Sequence, residues 1–335
     1  MTKHSLFSLA LLFIAVLFIT NVFAEDLPEG TAWVDRYGYT GCVELSNGSI
    51  RVVLEPNCGG RIMEYALNGQ NVIYVDPEHD GYVYVPGGRR INPSGGRCDI
   101  GPEMLVPSRP ALWLGKWKAE IIGPRTARMT SVEDASTGVQ LIRTFQLAKD
   151  SSHLSYTQTI KNISGETKEY NHWSRTFAEG GGICLVPLTE KSRFPNGYIY
   201  YGPGSILNIR HEEHPNIRVR DGFLEVPGTP PQPKFGIDSY AGWFGYVTKS
   251  NLLFVKKFAT YPNRVYGEVA AYTISLWYYK EQMCELEPIG PLEIIKPGAS
   301  ASFTEEWYLL PYDYPKSGEM VDLKEFTSFV EKNTN

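Results

Sequence analysis

Apolar and polar residues alternate with a period of two along most of this chain, starting near Thr31. The alternation is regular in 139–147, in 154–160 and again in 301–309. Successive side chains of a β-strand point to opposite faces of its sheet, so this period is typical of strands with one buried face. No segment before residue 315 keeps a helical period, which excludes folds built from alternating strands and helices. We therefore expect an all-β protein with antiparallel sheets.

The size of the chain narrows the architecture further. With 335 residues and no internal repeat, a single antiparallel β-domain is too large for an immunoglobulin-like sandwich. Two large sheets packed face to face are the natural solution, and we expect them to span 31–311. The Gly-rich and charged segment 82–109 is predicted to leave the sheets and to border their concave face. The helical pattern in 321–330 predicts a short C-terminal helix that covers a sheet edge.

Composition excludes two classes of protein. The chain has 32 Lys and Arg against 37 Asp and Glu, a net charge of −5, so it lacks the basic excess that binds the phosphates of nucleic acids. Aromatic residues make up 13% of the chain, which supplies enough apolar area for a core and argues against disorder. We expect a globular protein that does not bind nucleic acid.

The first 24 residues have the pattern of a secretory signal peptide. Lys3 precedes an apolar run over 9–19, and Val22-Phe23-Ala24 places small residues at −3 and −1 of a cleavage site. A membrane anchor is the weaker interpretation, because the run is shorter than the roughly 20 residues that a span needs. We expect a single mature domain over 25–335, secreted or periplasmic, with no stable membrane span.

Cysteine and histidine patterns predict neither a metal site nor a cofactor. His211-Glu212-Glu213-His214 has metal-ligand residue types, but adjacent strand residues point to opposite faces and Pro215 indicates a loop. Motifs for nucleophilic serine, for phosphate or dinucleotide binding and for zinc proteases are absent. The cysteines are too widely spaced for a metal motif, and either two disulfides or buried free thiols fit them: Cys42, Cys58, Cys98, Cys184 and Cys284.

Three segments resemble the aldose 1-epimerases, or galactose mutarotases. In 154–177 a strand and a polar turn lead into Asn171-His172, the first two positions of that family's Asn-His-x-Tyr-Phe-Asn signature, although Trp173-Ser174-Arg175 departs from the rest. Residues 49–72 resemble the family's opening strand and its Gly-containing turn. Residues 283–288 (MCELEP) resemble the late strand that bears its catalytic Glu. The resemblance implies a galactose mutarotase-like β-supersandwich.

The same resemblance implies an acid–base pair. Interconversion of sugar anomers needs one group that accepts the proton of the C1 hydroxyl and another that protonates the ring oxygen. Glu287 is expected to be the base, with Glu285 as the second choice, and His172 is expected to be the acid. By alternation the two carboxylates share one strand face, where their repulsion raises the pKa of one of them. The alternatives are that both carboxylates are solvated and that His172 is a packing residue.

Arginine, amide, acidic and indole side chains could hold a sugar. Indole rings stack on the apolar faces of pyranoses, and arginine pairs with hydroxyls or carboxylates. Arg143 is in phase with apolar residues, so it either points into an apolar face or emerges in a cleft beside an acidic partner. The candidate sugar-binding residues are Arg61, Arg90, Asn92, Arg97, Glu103, Arg143, Trp173, Arg175 and Trp243.

Two functions remain open at this point. The first is an exported carbohydrate-active enzyme, either epimerase-like or a polysaccharide lyase or hydrolase, that uses the Glu/His pair. The second is a non-catalytic carbohydrate-binding protein of the same fold. A carboxylate and an imidazole that face one cleft favour the enzyme, whereas an aromatic platform without that pair favours the binding protein.

We predict that the mature chain begins near Glu25, because the small residues at 22 and 24 suit signal peptidase. The intact mass of the exported product should then correspond to the chain without residues 1–24. A product in the membrane fraction that still carries Met1 would contradict this prediction.

Overall fold

A computed structural model describes residues 27–202, 206–209 and 214–334 of the chain. In this part of the chain two large antiparallel sheets pack face to face, accompanied by short helices. The predicted all-β architecture of two large sheets is confirmed. The expected signal peptide, residues 1–24, lies outside the described residues.

The first sheet has thirteen strands in the described residues. Numbered in chain order through both sheets, they are β1 (Thr31–Arg36), β2 (Tyr39–Ser46), β3 (Ile50–Glu55), β4 (Arg61–Leu67), β5 (Gln70–Asn71), β6 (Gly96–Gly101), β11 (Lys168–Glu179), β13 (Tyr198–Tyr201), β14 (Leu207–Asn208), β17 (Lys234–Ile237), β20 (Ile274–Tyr279), β21 (Met283–Pro288) and β22 (Glu293–Ile295). They pair in the order β1-β2-β3-β4-β6-β11-β21-β20-β17-β13-β14, with β5 beside β4 and β22 beside β11. Strands β6, β11 and β21 therefore lie side by side in the middle.

The second sheet has ten strands in the same part of the chain. They are β7 (Lys118–Gly123), β8 (Thr126–Thr130), β9 (Val139–Leu147), β10 (Leu154–Asn162), β12 (Ile183–Pro187), β15 (Arg218–Arg220), β16 (Phe223–Val226), β18 (Trp243–Val247), β19 (Leu252–Phe258) and β23 (Ser300–Pro311). Their order is β15-β16-β12-β18-β19-β23-β10-β9-β8-β7. The helices are α1 (Pro110–Leu114) and α2 (Leu323–Asn333), and short 3-10 turns occupy Pro77–His79 and Val269–Ala271.

The two sheets differ in how their faces are buried. In β9 and β10 of the second sheet, buried residues alternate with more exposed ones, as expected for a sheet with one face toward the core. In β6 and β21 of the first sheet every residue is buried. The middle of the first sheet is therefore covered on both faces, and polar side chains on its outer face need partners within the protein.

Large aromatic side chains fill the space between the sheets. Tyr65 of the first sheet packs edge-on against Phe254 at a ring-centre distance of 5.7 Å, and Trp307 lies 5.1 Å from Phe254 and 5.6 Å from Tyr156. All four residues are buried. Burial of each such side chain contributes roughly 1.5–3 kcal/mol, so this cluster is a main source of sheet-to-sheet stability.

Two buried cations of the second sheet reach across this core to the first sheet. The ammonium of Lys256 lies 3.0 Å from the Glu305 carboxylate and donates to Ser174 and Thr176 of β11 and to the carbonyl of Leu286 in β21. Burial lowers the pKa of Lys256, and the charge of Glu305 opposes this shift. The Lys256 side chain thus holds the inner faces of two central strands.

The guanidinium of Arg143 binds the third central strand. It donates to the carbonyl of Cys98 in β6, to the carbonyls of Gly59 and Gly60, and to the amide oxygen of Gln158 at 2.8 Å. Its donors are thus satisfied by main-chain oxygens and one amide, without a carboxylate. The sequence left two alternatives for Arg143, an apolar face or a cleft with an acidic partner. The structure shows the first, because the side chain points into the core.

Helix α2 packs on the outer face of the second sheet. Asp322 caps its first turn by accepting hydrogen bonds from the amides of Lys324 and Glu325. Phe326 is fully buried and lies against Trp243 and Phe223 of the sheet. The predicted C-terminal helix is therefore confirmed, but it covers a sheet face rather than a sheet edge.

The predicted excursion over 82–109 is only partly correct. Residues 96–101 form β6, a central strand that pairs with β11 from Gly96 to Gly101. Arg97, Cys98 and Asp99 show no simple alternation of apolar and polar residues, because a strand buried on both faces has none. The segments before and after β6 do lie over the outer face of the sheet.

All five cysteines are buried as free thiols, and none forms a disulfide. Burial raises the pKa of Cys58 to about 11 and that of Cys98 well above its usual range, so both are uncharged at neutral pH. Their spacing left two interpretations open, disulfides and buried free thiols, and the structure agrees with buried free thiols. No helix in the described part of the chain combines the length and the apolar character needed to cross a bilayer.

We predict that Lys256→Met lowers the free energy of unfolding by about 3–5 kcal/mol, because it leaves the Glu305 carboxylate buried without a counter-charge. Adding Glu305→Gln should recover part of the loss. Guanidinium denaturation measures both changes. Lys161→Met, at an exposed lysine of β10, is the control and should have little effect. Equal stabilities of Lys256→Met and the wild type would contradict the prediction.

Candidate functional site

The candidate site lies on the outer face of the first sheet, over β6, β11 and β21. In β11, alternation sends Trp173 and Arg175 outward and His172 inward, toward the second sheet. Arg175 lies opposite Arg97 of β6, and Phe177 lies opposite Glu285 of β21. The outer face of the three strands thus brings indole, guanidinium and carboxylate groups together.

Two contacts join β11 to β21 on this face. The Nε atom of Arg175 lies 2.6 Å from Oε1 of Glu285, and the indole N–H of Trp173 donates to Oε2 of Glu287 at 2.5 Å. All four side chains are buried, with Arg175 the most exposed at 9%. Each carboxylate therefore has one fixed partner from the neighbouring strand, which sets its orientation.

The two carboxyl groups differ in their electrostatic environment. Burial raises the pKa of Glu287 well above its usual range, and the neighbouring charge of Glu285 raises it further. Arg175, Lys234 and the hydrogen bond from Trp173 oppose this shift. Glu287 therefore keeps its proton to a higher pH than a solvated carboxyl group does, whereas the Glu285 carboxylate is paired with the Arg175 guanidinium. These different environments suit Glu287 to donate a proton and Glu285 to accept one.

Three guanidinium groups surround Trp113 of α1. The Cζ atoms of Arg97, Arg175 and Arg109 lie 3.9, 5.0 and 5.3 Å from the centre of its ring. Leu112 and Leu114 anchor the helix in the core, which leaves Trp113 half-buried above the sheet. The indole face separates three like charges and attracts each of them.

Arg109 and Arg97 differ in their partners. Arg109 binds both carboxylate oxygens of Asp99 in β6, at 2.6 and 3.2 Å. Arg97 donates to the carbonyl of Pro93 and to the amide oxygen of Asn92, and its Nε has no hydrogen-bond partner. Burial lowers the pKa of Arg97 well below its usual range, and the charge of Arg175 lowers it further. Arg97 is thus a buried cation without an acidic partner.

Two adjoining cavities form a cleft over these residues. One has a volume of about 320 Å³ and lies beside Trp113; Arg90, Arg109 and Ser108 also line it. The other has about 360 Å³ and is lined by Glu285, Glu287, Lys234 and Trp277, among others. The two cavities share Glu103, Trp173 and Arg175 as lining residues. The cleft therefore has a guanidinium-rich end and a carboxyl-rich end.

Most of the residues proposed from the sequence come together in this cleft. Glu103 lies at its centre, exposed, with its carboxylate 3.4 Å from the ammonium of Lys234. Arg97 lies below the cleft, under Trp113. The proposed residues that line one or both cavities are Arg90, Asn92, Glu103, Trp173, Arg175, Glu285 and Glu287.

His172 is not in the cleft, so the expected convergence of His172 and Glu287 is wrong. Its ring faces the second sheet and stacks on Phe303 at a ring-centre distance of 5.7 Å. The side chain is buried and its Nε2 has no hydrogen-bond partner. His172 and Trp173 are adjacent in an unbulged strand, so only one of them can face outward. Trp173 occupies the outward position, and His172 is a packing residue.

Three proposed sugar-binding residues also lie elsewhere. Arg61 is fully buried and pairs with Glu55 at 3.1 Å, and Arg143 points between the sheets as described above. Trp243 packs under α2 on the second sheet, against Phe326. Their residue types suited sugar binding, but the sequence does not show which of the two sheets, or which face, carries the cleft.

Sequence reasoning missed four charged or aromatic residues of the cleft. Lys234 and Trp277 lie opposite each other in β17 and β20, out of phase with the apolar residues of their strands, and this alternation could have revealed them. Arg109 and Trp113 gave no comparable signal, because only the docking of α1 on the sheet brings them to the cleft. No group of three or more potential metal ligands occurs in the described residues, and His211 to Glu213 lie outside them.

Comparison with solved structures identifies the fold. A protein of Escherichia coli K12, provisionally assigned as an aldose 1-epimerase, has a TM-score of 0.56 and 13% identity over 80% of this chain and 98% of its own. Galactose mutarotase-like proteins from Lactobacillus casei (TM-score 0.55, 11% identity, 81% and 100% coverage) and Clostridium acetobutylicum (0.53, 13%, 84% and 98%) are similar as well. No protein-family profile and no curated protein sequence matches the chain significantly. The chain has the galactose mutarotase-like fold.

We predict that His172 makes the protein less stable as the pH falls. Burial lowers the pKa of His172 to about 4, against about 6.5 in the unfolded chain. Between about pH 7 and pH 4 the unfolded chain therefore takes up a proton that the native protein does not, which costs about 3 kcal/mol of unfolding free energy.

Equilibrium unfolding at a series of pH values tests this prediction with His172→Met. The variant should lose this part of the pH dependence. His153→Gln, at a half-buried histidine directly before β10, should retain it. The same pH dependence in His172→Met and the wild type would refute the prediction.

Proposed function

We propose that the protein is an exported carbohydrate-active enzyme that binds a sugar in the cleft and transfers protons with Glu285 and Glu287. The observation that supports this most directly is the pair of adjacent buried carboxyl groups at one end of the cleft, where Glu285 is paired with Arg175 and burial raises the pKa of Glu287. The expected Glu/His pair is replaced by a Glu/Glu pair, since His172 faces the core.

The lining of the cleft is suited to a sugar. Trp173 and Trp277 line the cavity that also contains both carboxyl groups, and indole rings provide flat surfaces for the C–H faces of a pyranose. Lys234 and Arg175 add donors for sugar hydroxyls. A volume of about 360 Å³ is within the range of small-molecule sites. Solved structures named for galactose mutarotases share this fold, which agrees with a carbohydrate ligand.

The arrangement of the two carboxyl groups suits interconversion of anomers. The hydroxyl that loses its proton and the ring oxygen that gains one are both bonded to C1, so the acceptor and the donor must be neighbours. Glu285 and Glu287 are two residues apart on one strand face, which meets this condition. Glu285 is the acceptor, because its carboxylate is paired with the Arg175 guanidinium, and Glu287 is the donor, because burial raises its pKa.

Neighbouring side chains orient both carboxyl groups for these roles. Arg175 binds Oε1 of Glu285 and leaves Oε2 for the substrate, and Trp173 binds Oε2 of Glu287 and leaves Oε1. Each carboxyl group therefore has one oxygen that orients it and one that can react. Groups held in this way lose little entropy when the substrate binds.

A non-catalytic carbohydrate-binding protein is the second candidate. The observation that favours it is the lack of an imidazole among the described residues of the cleft, where the sequence predicted one. In this case the indole and arginine side chains would bind the sugar, and the carboxyl groups would only accept or donate hydrogen bonds to it.

We predict that Glu287→Gln and Glu285→Gln each lower the turnover of a bound sugar at least about 100-fold, because each removes one group of the acid–base pair. Exchange between anomers is measured by NMR with glucose and galactose, and release of products is measured with oligosaccharides. The rate of the wild type should fall as the pH rises and Glu287 loses its proton.

Glu281→Gln is the matched control, because this exposed glutamate lies just before β21 and outside the cleft. Its turnover should equal that of the wild type, and His172→Gln should retain most of its activity if it folds. Unchanged turnover in both cleft variants would remove the assignment. Sugar binding without any turnover in the wild type would support the binding protein instead.

A further inference from the structure

We infer that the sugar bound in the cleft carries an anionic group, a carboxylate or a phosphate, which occupies the cavity beside Trp113. This inference rests on the proposed function and specifies the substrate class of the same site. It follows from the unequal numbers of guanidinium and carboxylate groups at that end of the cleft.

The guanidinium groups around Trp113 outnumber their acidic partners. Arg109 is paired with Asp99 and Arg175 with Glu285, whereas Arg97 makes no ion pair with any carboxylate in the described part of the chain. Arg97 is only 2% exposed. A buried charge without a counter-charge is costly, so an anion bound nearby would stabilise this arrangement.

Arg90 adds a second cation without an acidic partner. Its exposed side chain lines the same cavity, and no ion pair of Arg90 is found among the described residues. Glu103 also lines the cavity, but its carboxylate lies 3.4 Å from the ammonium of Lys234. The cavity is thus cationic, although the chain as a whole has a net charge of −5.

Arg97 also orients a donor toward the ligand. A guanidinium can only donate hydrogen bonds, so the Asn92 atom that it contacts, 3.1 Å away, is the amide oxygen. The amide N–H groups of Asn92 then remain available on a side chain that lines the cleft. Guanidinium groups together with an amide donor suit the oxygens of a carboxylate or a phosphate.

The two ends of the cleft can be occupied by one ligand. Trp173 and Arg175 line both cavities, so the anionic group and the reacting carbon would lie on either side of these two residues. Neutral hydroxyl groups would leave Arg97 and Arg90 without a counter-charge. The charge of the sugar, rather than its ring alone, is therefore the expected basis of selectivity.

Matched sets of sugars test this inference. Each set has one ring configuration and differs only at C6: glucose, glucuronate and glucose 6-phosphate, with the same series for galactose and mannose. Calorimetric titration gives the affinity of each. In at least one set an anionic member should bind at least about tenfold more tightly than the neutral member. The carboxylate and phosphate members distinguish the two kinds of anion.

Arg90→Gln connects the preference to the cavity. It should lower the ratio of anionic to neutral affinity at least about threefold, because an exposed ion pair contributes about this much. Arg128→Gln is the control, since Arg128 is an exposed arginine of β8 in the second sheet. An increase in ionic strength should lower the ratio as well.

The titrations distinguish failure of this inference from failure of the proposed function. Equal affinities for neutral and anionic members would overturn the inference and leave the proposed function intact. An anionic preference that neither Arg90→Gln nor salt reduces would also overturn it. If no sugar of any set binds, the proposed function fails, and the inference fails with it.

Discussion

Two cations buried between the sheets hold the part of the structure on which the cleft depends. Lys256 donates to β11 and β21, and Arg143 donates to β6, in each case from the second sheet to the inner face of the first. These three strands carry the carboxyl, indole and arginine groups of the cleft on their outer faces. Hydrogen bonds from the second sheet fix the inner faces of these strands, and buried donors and acceptors must stay paired. The spacing of the cleft residues therefore depends on the packing of the two sheets against each other.

Buried charged groups are compensated differently on the inner and outer faces of the central strands. On the inner face each cation is neutralised or fully hydrogen-bonded, as the pairing of Lys256 with Glu305 shows. On the outer face burial raises the pKa of Glu287, and Arg97 has no acidic partner. Incomplete pairing of buried charged groups, as at Arg97, is typical of sites that bind a ligand.

Regular alternation allowed the two-sheet architecture and strands such as β9, β10 and β23 to be predicted from the sequence. Strand β6 was missed because burial on both faces removes that alternation. In the site, Glu285 and Glu287 were found from the resemblance of residues 283–288 to the catalytic strand of aldose 1-epimerases, and Trp173 and Arg175 from their residue types. Alternation then placed each pair on one strand face. The error at His172 has the same origin: periodicity shows which residues share a face, but only the packed sheets show which face carries the cleft. Residues brought in by α1, such as Trp113, depend on tertiary docking and leave no local pattern.

The state of the cysteines bears on where this chain can fold. Many exported proteins need oxidation of their cysteines to reach a stable structure. Here all five thiols are free and buried in a core formed by two extensive sheets. The folded state therefore requires no oxidant, and thiol reductants have no bond to break in it. The chain should reach the same structure in a reducing compartment as in an oxidising one, so its stability does not depend on the redox state of its surroundings.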